Sequence, residues 1–246
     1  MVRWLKRIIL SLLALALLLV CVAVGYGLIV HEPRPAIQAS PEADVLARRV
    51  QDALGSDHWG AIGEISWRFG DRRTHRWRRC TDQVWVQWGD AEVRLDLGRG
   101  GGEVIAGGAA DDQSLIDEAH KYFINDAFWL NPVRTFFDDG VSRAVVGLGD
   151  DVMAEFGAQH EALLVTYGQG GRTPGDAYLW LLDAEHRPVA WKMWVSIIPI
   201  GGLPVTWSDW QPVGAGLQIA RSHRLPLGLT LEISQVTTRA CDDNSL

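Results

Sequence analysis

The sequence predicts a mainly β (α+β) protein: a curled antiparallel sheet or partial β-barrel with two packing helices, preceded by an N-terminal transmembrane helix. Three observations predict it. Most of the chain alternates apolar and polar side chains with period two between turn residues, as half-buried strands do. Two segments of the remainder repeat with helical period, and residues 8–30 form an uncharged, overwhelmingly apolar run.

That run comes first. Its 23 residues are long enough to cross a hydrocarbon core of about 30 Å as a helix. Arg3, Lys6 and Arg7 precede it, whereas His31, Glu32, Pro33 and Arg34 follow. The positive-inside bias therefore puts the N-terminus in the cytoplasm and everything beyond residue 30 outside. A cleaved signal peptide is the alternative, with Ala23-Val24-Gly25 as its small-residue site, but the run exceeds the roughly 7–15 residues of a signal core. Cys21 follows Val20, not a small residue, and lies inside the run, which favours a helix cysteine over a lipidated one.

Pro33, Pro35 and Pro41 make 31–41 an extended linker, so the chain divides into a cytoplasmic stub and anchor (1–30), the linker (31–41) and a domain (42–246). The first helical segment of that domain carries Val45, Leu46, Val50, Ala53 and Leu54, with Gly55 placed to stop it. The second carries Leu115, Ile116, Ala119, Tyr122 and Phe123 behind Asp111 and Asp112, either of which can cap it. Strands are expected near 61–69, 73–79, 83–88, 91–97, 102–106, 133–137, 142–147, 162–168, 176–183, 188–196, 204–210, 216–223 and 228–238. Short strands with tight turns indicate an antiparallel meander. In 176–183 and 188–196 both faces carry large apolar groups.

Charge and motifs narrow the chemistry. The formal net charge is −7 although three basic residues precede the apolar run. So acidic a remainder repels phosphate backbones, and nucleic acid is not an expected partner. The chain lacks HExxH, CxxC, G-x-S-x-G and a Walker loop, the handles of zinc proteases, thiol oxidoreductases, serine hydrolases and nucleotide hydrolases. Its seven histidines are spread with no i, i+4 pair, and the Asp pairs lack the alternating oxygen ligands of a calcium loop. No metal, no cofactor and no catalytic residue is assigned. Asp126 and Asp176 stand out, Asp126 beside Phe128 and Trp129, Asp176 after a Pro174-Gly175 turn, but nothing in the sequence brings them together. Cys80 and Cys241 are the only cysteines beyond the apolar run, so they pair as a disulfide or remain two free thiols.

The motifs N-D-A-F-W-L (125–130), D-D-G-V (138–141), G-G-R-T-P-G-D-A-Y-L-W-L-L-D (170–183) and W-x-D-W-Q-P-V-G (207–214) resemble a bacterial family of exported domains of unknown function. That family is similar in fold to the LolA/LolB lipoprotein carriers, and the resemblance covers roughly residues 45–240. It implies a curled sheet whose helices plug an apolar concavity for acyl chains. No carrier binding residue matches this sequence one by one, and an anchor departs from the pattern of a shuttling carrier. The resemblance adds a bacterial inner membrane to the topology, single-pass, with the main domain on the periplasmic or extracytoplasmic side.

Twelve tryptophans are the strongest departure from average composition. With the carrier resemblance they support a lipid or small apolar ligand on a concave face formed from Trp67, Trp77, Trp85, Trp88, Phe128, Trp129, Tyr178, Trp180, Trp191 and Trp194. The segment 197–204 is apolar throughout, unlike a hairpin tip in water. Ile198, Ile200 and Leu203 are candidate lid residues, with simple core packing, contact with the bilayer and contact with a partner as alternatives. Two other functions stand beside ligand binding. One is a non-enzymatic interaction module of an envelope complex; the other, a hydrolase with an unfamiliar site, would bring Asp126, Asp176 or a histidine together in a cleft.

Overall fold

The computed structural model describes residues 31–36, 39–168 and 174–241, with scattered helical positions between 4 and 30. The expected spanning helix over 8–30 therefore falls largely outside the described residues. Among those described, no helix is long and apolar enough to cross a membrane.

Thirteen antiparallel strands form two sheets among the described residues. In the first, β1 (Glu64–Phe69), β2 (Arg73–Arg78), β3 (Gln83–Trp88), β4 (Ala91–Asp96) and β5 (Gly102–Ala106) meander outward from one side of β13 (Thr230–Arg239). On its other side lie β12 (Leu217–Arg224) and β11 (Ser208–Val213). The second sheet runs β10 (Leu203–Thr206), β9 (Pro188–Trp194), β8 (Ala177–Leu182), β7 (Glu161–Tyr167) and β6 (Val141–Gly147). The segment expected as one strand at 204–210 is in fact two. β10 pairs with β9 and β11 with β12, so the chain passes from one sheet to the other at Trp207. Asp209, in β11 two residues beyond the crossing, has a positive φ of 54°. The two sheets are joined through this crossing, and neither closes on itself.

Helix α1 (Pro41–Ala53) starts at Ser40, whose side chain accepts from the Ala43 amide at 3.4 Å, and has Glu42 and Asp44 in its first turn. It stops at Gly55, held at φ 63°, the left-handed conformation that glycine takes most readily. Its buried stripe is Ala43, Leu46, Ala47, Val50 and Leu54. Val45, expected on that face, is exposed, because one residue off the stripe is about 100° around the helix. α1 packs on β6 and β7.

Helix α2 (Gln113–Leu130) is capped by Asp112, which accepts from the amides of Ser114 and Leu115 at 3.0 and 3.3 Å. It includes the whole of 125–130, a segment expected to follow the helix, because the apolar stripe continues through Ala127 and Leu130 before Pro132 prevents extension. A third helix, α3 (Asp150–Phe156), was not expected; seven residues are too few for a period to show. The expected strand at 133–137 is instead a 3-10 turn, Pro132–Thr135, as the proline at its start favours.

The core lies in three parts. α2 covers the first sheet through Ile116, Ala119, Phe123, Ala127 and Leu130. α1 and the end of α2 cover the inner face of the second sheet, where Leu163, Val165, Trp180, Leu182, Trp191 and Met193 lie. The outer face of the second sheet buries Ala162, Leu164, Leu179, Leu181 and Ala190, with Val152, Met153 and Phe156 of α3 packed on it. This double coverage explains the large apolar groups on both faces of β8 and β9.

Candidate aromatic ligand site

The ten aromatic residues do not form one concave lining. Trp67, Trp77 and Trp88 face α2, where Trp77 meets Phe123 edge-on at 5.1 Å and Trp88 meets Tyr122 at 5.4 Å. Trp85 lies on the opposite face of β3 from Val84 and Val86, with the guanidinium groups of Arg76 and Arg78 over its ring at 4.1 and 5.2 Å. Trp194 is on the outer side of the second sheet and donates from Nε1 to the Glu32 carbonyl at 2.8 Å. The remaining five do meet. α2 runs off the first sheet and carries Phe128 and Trp129 into the second, where Phe128 contacts Tyr178 at 5.1 Å and Trp129 contacts Trp191 at 4.8 Å. Trp180 and Trp191 are cross-strand partners with ring centroids 4.9 Å apart.

Three residues that sequence reasoning left out complete this cluster. Trp207, where the chain changes sheets, lies 4.8 Å from Trp191 and 5.3 Å from Trp180. His223 of β12 sits 4.3 Å from Trp207 and 5.3 Å from Trp129. Asn131 follows α2 directly and is buried. Signals for two of them existed: Trp207 opens the W-x-D-W motif, and Leu217, Ile219 and His223 share the inward parity of β12.

A small cavity opens at this cluster, with about 10 Å³ of space for a water-sized molecule, between Leu54, Leu130, Asn131, Trp180, Trp207 and Trp210. Trp180 Nε1, Trp207 Nε1 and Asn131 Nδ2 are buried with no hydrogen-bond partner. All three are donors, in a wall that is otherwise aromatic and aliphatic except for Gln218. The chemistry of this arrangement is recognition of an acceptor such as a carbonyl or carboxylate, since an unmet buried donor costs about 1–3 kcal/mol.

His223 is the titratable group of the cluster, and neither of its ring nitrogens has a hydrogen-bond partner. Burial opposes the imidazolium and outweighs the backbone at Thr206 and Ala220, which favours it, so the pKa falls to about 4. A folded pKa below the unfolded value of about 6.5 means that the native state is favoured with neutral His223 and loses stability as protons bind the unfolded chain first. The loss begins below pH 6.5, accumulates to about pH 4 and reaches on the order of 3 kcal/mol. Urea unfolding at pH 7, 5.5 and 4.5 should show this fall, and His223→Leu should make it shallower, leaving the share of buried His75; an unchanged pH slope in the variant would sink the assignment.

Asp126 and Asp176 belong to separate networks. Asp126, fully buried, accepts from Arg73 Nε at 2.6 Å, Arg73 Nη2 at 3.0 Å, Asn125 Nδ2 at 2.8 Å and His75 Nε2 at 2.7 Å. His75 is also fully buried and stacks on Trp67 at 4.6 Å. Burial drives its pKa down against the pull of Asp126, so the ring is neutral with its proton on Nε2. This is a histidine–carboxylate pair with a perturbed pKa, but it lies between β2 and α2 without access to solvent. What the geometry can do is fasten the helix to the sheet. Asp176 accepts from the Ser196 amide at 2.9 Å, closing the turn beside β9.

Of the candidate lid, Ile198 and Leu203 pack on the aromatic cluster, while Ile200 points to Gly27. Cys80 and Cys241 form a disulfide, Cα atoms 6.1 Å apart. It joins the turn after β2 to the end of β13, where Gly63 lets two backbones meet: a Cβ on Gly63 would collide with the Cys241 amide.

No family model and no curated protein matches the chain. Among solved structures it is similar to a DUF1329 family protein from Desulfovibrio piger, at 9% identity and TM-score 0.41 over 82% of this chain and 94% of that one. It is similar to a putative outer membrane lipoprotein-sorting protein domain from Vibrio parahaemolyticus, at 9% identity and TM-score 0.38 over 82% and 96%. A LolA superfamily protein from Nitrosomonas europaea gives 9% identity and TM-score 0.37 over 85% and 96%.

Proposed function

We propose that the protein is an extracytoplasmic, membrane-anchored domain that binds a lipid or another apolar ligand carrying a hydrogen-bond acceptor, at the aromatic cluster between the two sheets. One observation carries the reading: three unpaired buried N–H donors, from Asn131, Trp180 and Trp207, border one cavity among aromatic rings. Trp67 Nε1 and Trp77 Nε1 beneath α2 are unpaired as well, and what sets these three donors apart is the cavity they share; an acyl chain with its ester or carboxylate would meet both the donors and the rings there. The cavity is water-sized, so a ligand must open it, and the half-buried Trp210 and Gln218 at its border are the side chains that must move, breaking single hydrogen bonds to the Pro188 and Gly216 carbonyls. In this reading Phe128, Trp129, Tyr178 and Trp191 extend the aromatic cluster behind Trp180 and Trp207, and Ile198 and Leu203 cover that extension as the lid once the ligand has opened it. Trp67, Trp77 and Trp88 support α2 from beneath, while Trp85 and Trp194 stand outside the site.

The test is native mass spectrometry of the detergent-extracted chain for a co-purified lipid, followed by titration with a fluorescent fatty acid. Trp207→Phe keeps an aromatic side chain but removes the pyrrole ring with its donor. A hydrogen bond worth roughly 1–1.5 kcal/mol makes the expected loss in affinity about five- to tenfold. Finding neither a bound lipid nor saturable binding of the probe would end this reading.

A further inference from the structure

Two apolar tips lie at the same end of the molecule as the exit of the N-terminal run. The first is the loop 195–202 after β9, where Ile197 is 79% exposed. The second is the turn after β12, Leu225-Pro226-Leu227-Gly228-Leu229, with Leu227 85% and Leu229 62% exposed and no polar side chain. The Arg224 amide donates to Thr206 Oγ1 at 3.0 Å, and the turn Pro226–Gly228 then packs along β10, whose first residue, Leu203, ends the first loop. The two tips are therefore neighbours. Leu227 is also held at φ 63°, a left-handed conformation unfavourable for a leucine, and in the free domain it gains no burial in return.

The N-terminal run is fixed to this end without slack. Ile200 reaches Gly27, where a Cβ would stand 3.3 Å from its Cδ1. His31 Nδ1 accepts from the Gly201 amide at 3.0 Å, and the Glu32 amide donates to the Gly201 carbonyl at 3.0 Å. Lys192 Nζ holds the Glu32 carboxylate at 2.7 and 2.9 Å. The chain is thus clamped to the first tip immediately beyond Val30, the last residue of the apolar run.

We infer that these tips form a foot that enters the interface of a lipid bilayer, with Ile197, Leu227 and Leu229 as the inserted side chains. The inference rests on residues 8–30 spanning the membrane and is independent of ligand binding at the aromatic cluster. With that run in the bilayer and His31 clamped to Gly201, the loop cannot leave the surface, and the neighbouring Leu227 turn is carried there with it. Three exposed large aliphatic side chains need apolar contact, and lipid at this depth supplies it. The foot also fixes the domain's orientation, placing the hairpin turns at 70–72 and 89–90 near the membrane and the 97–101 loop away from it, as the strand register requires.

The experiment uses the full chain with Cys21→Ser, reconstituted in phosphatidylcholine vesicles, with an environment-sensitive fluorophore on Leu227→Cys or, separately, on Leu229→Cys. Arg99→Cys, at the far end of the sheet, is the reference. At both tip positions we expect blue-shifted emission, several-fold stronger quenching by nitroxide-labelled lipid than at position 99, and protection from aqueous iodide. Tip probes as accessible to iodide as the reference would overturn the inference. So would a blue shift without quenching by lipid, which would assign the tips to a protein contact, or a chain that does not stay with the vesicles. Fatty-acid binding is a separate readout, so failure here leaves the ligand reading standing.

Discussion

Asp126→Ala is expected to destabilise the domain by about 3–5 kcal/mol, the cost of leaving a buried charge without its partner. Its carboxylate is fully buried and meets Arg73 through two nitrogens, so the variant strands a guanidinium that is only 20% exposed. The same change removes the acceptor of His75 Nε2, in a ring that cannot reach water. The rings of Phe69 and Tyr122 lie 4.9 and 4.5 Å from the Arg73 guanidinium and keep it in place after the carboxylate is gone. Urea unfolding followed by far-ultraviolet circular dichroism measures the loss. A combined Arg73→Met, His75→Phe, Asp126→Leu variant should recover most of it, because apolar replacement removes all the stranded groups at once. A cost below about 1 kcal/mol for Asp126→Ala would show that α2 is held by its apolar stripe alone.

Cys80→Ser should be at least as costly. The bridge spans 161 residues of sequence, and closing so long a loop restricts the unfolded chain by about 5 kcal/mol in the chain-entropy model. Native-state contacts change little, since the half-buried Cys80 adds only a weak Sγ contact to the Gly63 carbonyl at 3.4 Å. The loss should therefore appear as a lower urea midpoint in the variant, and to the same extent in the unaltered chain after reduction. Equal midpoints with and without reductant, or two thiols alkylated in the native unreduced protein, would contradict it.

These two predictions rest on features that the sequence revealed unequally. Strand positions were legible wherever a strand is buried on one face, because period two is then imposed by the core; β2, β3 and β4 lie where alternation puts them. Legibility failed where tertiary contacts decide. The change of sheet at Trp207 leaves the alternation uninterrupted, so 204–210 reads as one strand although two sheets share it. Parity within a strand also gives two faces without saying which is inside. Trp85 and Trp77 look equivalent in sequence, yet one is covered by arginines and the other by a helix. The Arg73–His75–Asp126 network was half visible. Arg73, His75 and Trp77 share a parity, but that their face meets Asp126 follows from the angle at which α2 crosses the sheet, which no local pattern encodes. The pairing of Cys80 with Cys241 was open for the same reason, as it depends on β13 lying against β1.

That last pairing bears on how the chain is made. β13, the final described strand, fills the gap between β1 and β12 in the middle of the first sheet. A ribosome or export channel releases β1 long before β13, so through most of synthesis one side of β1 presents unpaired backbone amides and carbonyls, the kind of edge that recruits another chain. The meander β1–β5 with α2 can form early from local contacts, but the sheet is complete only when its last strand arrives. A nascent chain stopped near residue 229 is consequently an aggregation-prone species rather than a smaller folded domain, and the cell must keep that edge covered until the C-terminal strand has docked.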